Sequence, residues 1–146
     1  MTILYKIDPN LKLIYYACFS LCAGSDILIK EREAYKDPLR LPEMKVILDV
    51  RFAELDISLQ DIRTLIELNK QLVKDGHKLE KTAVISKDAF LRTFGETIHL
   101  MADKLPLAME LFSFPKDSAN WLGLAGAEET IEQIGNSLLQ EYLTKA

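Results

Sequence analysis

Met44-Lys-Val-Ile-Leu-Asp-Val-Arg51 reads as a mostly apolar, β-branched strand that ends in an acid and a base. Seven residues after Arg51, Ser58 opens an amphipathic helix that runs to Asp75. A buried strand, a short polar loop and a helix N-terminus together form the usual place for a ligand or a phosphate in an open α/β sheet.

Upstream, Thr2 to Ile7 and Leu11 to Phe19 are β-rich and flank Asp8-Pro9-Asn10, a three-residue hairpin turn. Leu11, Leu13, Tyr15, Ala17 and Phe19 share one face of the second strand. Ile14, Tyr16 and Cys18 make the other face apolar too, so this sheet is expected to be covered on both sides. Gly24-Ser25-Asp26 opens a helix, with Ser25 or Asp26 as its N-cap, and Asp37-Pro38 stops it. The strand that decides the fold is then expected over Lys45 to Val50.

Downstream, Ser58-Leu-Gln-Asp61 resembles a capping box, and Leu59, Ile62, Leu65, Ile66, Leu72 and Val73 recur at helical spacing. Lys81 to Ile85 is the fourth strand and Leu107 to Phe112 the fifth. Between them Phe90, Leu91, Phe94, Ile98, Met101 and Leu105 form the stripe of a further helix. A short helix over Pro115 to Leu122 and an amphipathic one over Glu128 to Leu143, with its seam at Ile131, Ile134, Leu138 and Tyr142, complete the chain. Alternating elements after a hairpin imply right-handed crossovers and helices covering the sheet. The expectation is one α/β domain: an N-terminal β-hairpin, then alternating α and β, in a mixed five-stranded sheet. Residues 1–124 form it, and 125–146 are an appended amphipathic helix.

Bulk chemistry excludes several classes. Apolar residues make up 49% and charged residues 27%, ordinary for a folded domain. The net charge of −4, with no Lys/Arg run longer than two, gives no concentrated basic face for nucleic acid. The longest uncharged stretch, Leu13 to Ser25, is thirteen residues, too short to span a bilayer. The first residues lack a basic region followed by a long apolar one, so no signal peptide is read and a cytoplasmic location is expected. Cys18 and Cys22 with two distant histidines do not make a zinc site; they read as reduced structural thiols, with a redox pair as the alternative. No Gly-rich phosphate loop, nucleophile elbow or HExxH occurs.

Several segments in order resemble the SpoIIAA-like proteins of the STAS and SEC14-like fold group. They are Tyr5-Lys-Ile-Asp8, Asp37-Pro38, Met44 to Arg51, Thr82-Ala-Val-Ile85, Ala89-Phe90, Phe94-Gly95, and Phe112 with Ala119-Asn-Trp-Leu122. The resemblance covers residues 1 to about 124. It implies a bacterial, non-catalytic domain with no cofactor and two associated roles: a phosphorylation-controlled docking module like the anti-sigma-factor antagonists, or a binder of lipid or another apolar molecule that approaches membranes.

Three sets of residues carry these roles. Ser58 follows Asp56-Ile57 near the place of the phosphorylated Ser of the antagonists, with Arg63 and Lys45 as cations for the phosphate. The antagonists continue with Ser/Gly-Leu where this chain has Leu59-Gln60, and the plainer role of Ser58 is an N-cap. Asp49 and Arg51 would orient a polar headgroup, act as acid and cation in a reaction, or anchor a loop with Arg51 paired to Glu54 or Asp56. Phe90, Phe94, Ile98 and Met101 would line an apolar site, or simply face the core. His77 and His99 have no Ser or Cys neighbour that suggests a triad. The leading expectation is a non-catalytic binder of an apolar small molecule, lipid or membrane surface, with Asp49 and Arg51 at its polar mouth. The alternative is a protein-docking switch at Ser58. A homodimer through the Ile131 to Tyr142 seam is a further expectation.

Overall fold

The computed structural model describes residues 3–76, 78–87 and 108–145. Five strands lie in chain order: β1 (Ile3–Asp8), β2 (Leu13–Ala23), β3 (Glu43–Asp56), β4 (Lys78–Ile85) and β5 (Met109–Phe112). β1 is antiparallel to β2, and every later pairing is parallel. The helices described are α1 (Gly24–Tyr35), α2 (Leu59–Lys74) and α3 (Glu128–Lys145), with a 3₁₀ turn at Pro115–Ser118. The segment expected to be helical between β4 and β5, with His99, lies outside the described residues, as does His77.

The hairpin turn is longer than Asp8-Pro9-Asn10. The Asp8 carboxylate accepts the backbone N–H groups of Asn10 and Leu11, at 2.9 and 3.1 Å, which draws Leu11 into the turn and starts β2 at Leu13. β2 is buried without interruption from Leu13 to Phe19 because both of its faces are covered. On one face Leu13, Tyr15, Ala17 and Phe19 pack with Ile47, Ala83 and Ile85 beneath Ile131, Ile134 and Leu138 of α3. On the other, Ile14, Tyr16, Cys18 and Cys22 pack with Met44, Val50 and Val84 beside Ala34 of α1. The α3 seam therefore docks on the chain's own sheet.

β3 does not end at Val50. It continues through Arg51 to Asp56, paired with Phe19 to Ala23 of β2. Its outer half alternates, with Ala53 and Leu55 turned to the α1 side and Glu54 and Asp56 exposed. Between the pairs Ala17↔Asp49 and Phe19↔Phe52, β3 carries one residue more than β2, a bulge that holds Arg51. α1 begins at Gly24, earlier than the Ser25 or Asp26 cap implied, and Asp26 serves it from the third position by accepting the Ala23 N–H at 2.9 Å. No helix among the described residues is long and apolar enough to cross a membrane.

Candidate functional site

β3 brings Asp49 under α3, where it is 1% exposed. Its carboxylate accepts from the Tyr15 hydroxyl at 2.7 Å, from Arg51 Nε at 2.9 Å and from Arg51 Nη2 at 2.8 Å. The Arg51 backbone N–H adds a fourth bond at 3.2 Å. The bulge makes this side-on pairing of residues two apart workable, and bidentate charge-assisted bonds are among the strongest available. The Asp49 bonds hold the Arg51 guanidinium above its ordinary range, and burial, reinforced by Asp49, pushes the Tyr15 phenol well up. Gly135 of α3 lies directly over Tyr15: a Cβ there would stand 2.6 Å from the phenol oxygen.

The cluster is therefore closed. Asp49 and Arg51 lie in mid-strand rather than at a mouth, and Arg51 pairs with Asp49 itself rather than with Glu54 or Asp56. Next to it Phe52, Phe19 and Tyr142 form a ladder of near-parallel rings, with Arg51 against the Phe52 ring at 5.0 Å. Tyr142 is tied by its hydroxyl to Ser20, a non-glycine residue held at φ 56°. Trp121 closes the other edge of this core, packed on Phe112 and roofed by Lys81, whose Nζ donates to the Trp121 carbonyl at 2.7 Å.

Ser58 stands in the open at the N-cap of α2. Its Oγ accepts the Asp61 N–H at 3.1 Å, and Asp61 Oδ2 accepts the Ser58 N–H at 3.0 Å, a complete capping box. Asp61 also leans on α1, since a Cβ on Gly24 would overlap its carboxylate. Of the two cations considered for a phosphate here, Lys45 is excluded. It is the third residue of β3, opposite Leu13, eleven strand residues from Asp56 and so roughly 35 Å away. Arg63 is exposed on α2. Leu59 and Leu21, 58% and 59% exposed, flank this end of the β2–β3 ribbon, whose Glu54 and Asp56 form an acidic rim.

Phe90, Phe94, Ile98 and Met101 lie outside the described residues. Among the described residues no group of His, Cys, Asp and Glu could hold a metal ion. Cys18 and Cys22 are both buried and not joined in a disulfide, and a hydrogen bond with Cys22 together with burial raises the Cys18 thiol, which makes it less reactive. Sequence reasoning missed Tyr15 and Gly135 as parts of the Asp49 cluster. Tyr15 pairs with Ile47, so Asp49 is its diagonal neighbour on the same face, a relation that only the register reveals.

No protein-family model matches the chain, and no curated protein matches it. Among solved structures the chain is similar to an uncharacterised protein of the DUF3478 family from Shewanella loihica PV-4, described as having a SpoIIAA-like fold. The two superpose with a TM-score of 0.57 at 15% sequence identity, over 83% of this chain and 94% of the other. The fold of this chain is SpoIIAA-like.

Proposed function

We propose that this SpoIIAA-like chain is a non-catalytic protein-docking module whose switch is Ser58. The carrying observation is the position of the Ser58 hydroxyl: exposed, at a helix N-cap and next to exposed Leu59, at the end of the sheet that also carries exposed Leu21. A kinase can reach it there, and a partner can read it. Phosphorylation would bring a charge of about −1.5 to −2 to the helix end that Asp61 now serves. Phosphate and Asp61 would compete for the same backbone N–H groups. Asp61 would yield, and with it the contact on Gly24 that joins the starts of α1 and α2. The partner suited to this surface has an apolar centre for Leu21 and Leu59 and basic residues for Glu54 and Asp56.

The test is phosphosite mass spectrometry of the protein taken from its own cells, paired with capture by wild type, Ser58→Asp and Leu59→Glu. A phosphate on Ser58, and one partner held by wild type and released by both variants, is the expected result. An unmodified Ser58, with Ser58→Asp retaining every partner, rejects the reading. The apolar-ligand alternative rests on Phe90, Phe94, Ile98 and Met101, and so on sequence alone. Native mass spectrometry that finds a co-purifying apolar mass would favour it instead.

A further inference from the structure

Two arginines set their guanidinium groups inward, and the fold treats them differently. Arg51 is met by Asp49 at Nε and Nη2. Arg40, in the turn after α1, lies over the Tyr35 ring at 4.4 Å, and its Nε and Nη1 are buried with no hydrogen-bond partner among the described residues. Buried polar groups nearly always have partners, and a charged donor left unmet is the costliest exception. Glu31, four residues before Tyr35, feels the charge of Arg40, yet none of the described ion pairs joins the two. Tyr16 of β2 feels both of them.

We propose that Arg40 anchors an oxyanion site between the carboxyl end of α1 and β2, taking a carboxylate or phosphate group. A guanidinium stacked on an aromatic ring with spare N–H donors is already oriented for such a group. The Arg51–Asp49 pair shows the same chemistry satisfied from within the chain. Leu39, exposed beside Arg40, gives an amphiphile's tail somewhere to lie, whereas a free anion has no use for it.

The site has a built-in competitor. Burial pushes the Glu31 carboxyl up to about 6, and Arg40 opposes that shift. Burial also raises the phenols facing this region, with Tyr35 at about 12 and Tyr5 and Tyr16 shifted the same way, so all three stay neutral near pH 6. Glu33 and Asp37 face Tyr5 at the edge of the cluster. An incoming anion therefore meets its strongest repulsion from ionised Glu31. Binding is expected to take up a proton and to weaken as pH rises through 6.

Isothermal titration calorimetry of the full chain tests this with acetate, inorganic phosphate and octanoate, at constant ionic strength balanced with chloride, at pH 5.5 and 7.5. Saturable binding of acetate or phosphate, weaker at pH 7.5 by on the order of tenfold, is expected. Arg40→Gln should abolish it, and Glu31→Gln should retain binding but flatten the pH dependence. Octanoate binding much tighter than acetate would identify the head of an amphiphile as the ligand, and equal affinities a free anion. No saturable binding to wild type, or unchanged binding in Arg40→Gln, overturns the proposal. If Arg40→Gln does not fold, an unaltered pH dependence in Glu31→Gln overturns it as well. The site uses none of the residues around Ser58, so its failure would leave the docking reading untouched.

Discussion

At the scale of single residues, Asp49 and Glu31 are opposite cases of a carboxylate inside a small domain. Asp49 is surrounded by donors, so Asp49→Ala would strand the Arg51 guanidinium and is expected to cost about 3–5 kcal/mol in urea unfolding. Tyr15→Phe removes one neutral donor and should cost about 1–2 kcal/mol. The two losses should not add, because they share an acceptor. Glu31 has the reverse problem. Its acid is raised from 4.5 to about 6, so the folded state holds the proton more tightly than the unfolded chain does. The ionised form therefore costs stability above pH 6, and the cost disappears as pH falls below 4.5. Glu31→Gln should stabilise the protein by about 2 kcal/mol at pH 7.5 and by nothing at pH 4, as measured by unfolding across that range.

At the scale of elements, α3 is fixed by one small residue and three large ones. Ile131, Ile134 and Leu138 fill the core, while Gly135 lets the helix settle onto the Tyr15 phenol. Gly135→Ala would ordinarily favour a helix, yet here it should destabilise by about 1–3 kcal/mol, because the added carbon meets a phenol already fixed by Asp49. A lowered denaturant midpoint, restored in part by Tyr15→Phe, would be the observation. The capping box at Ser58 was legible in the sequence because it is a local pattern, and so was the two-faced burial of β2. The outer half of β3 was not. Its charged residues made it look like a loop, although the alternation of Ala53 and Leu55 with Glu54 and Asp56 was the available signal. The end of the strand decides what Asp49 and Arg51 are for. An end at Val50 makes them a mouth, and an end at Asp56 makes them an internal brace. A bulge leaves no mark in sequence, since it exists only in the register between two strands.

At the scale of the molecule, spatial strand order follows chain order from β1 to β5. The hairpin and the alternating elements were enough to imply a mixed five-stranded sheet with parallel strands after the hairpin, but not the order of those strands, and the Tyr15–Asp49 bond joins residues 34 positions apart. The ordering also has a consequence for biosynthesis. α1 and β3 follow β2 directly, so the Ile14–Cys22 side gains its cover soon after it is made. The Leu13–Phe19 side waits for residues 119–138. At about 5–20 residues per second, a nascent chain carries a partly covered α1 face and a bare one of Tyr15, Phe19 and Ile47, which Ile85 joins once β4 is made. That interval is when a holdase chaperone would be needed most, and ribosome-associated chaperone occupancy should fall once α3 emerges.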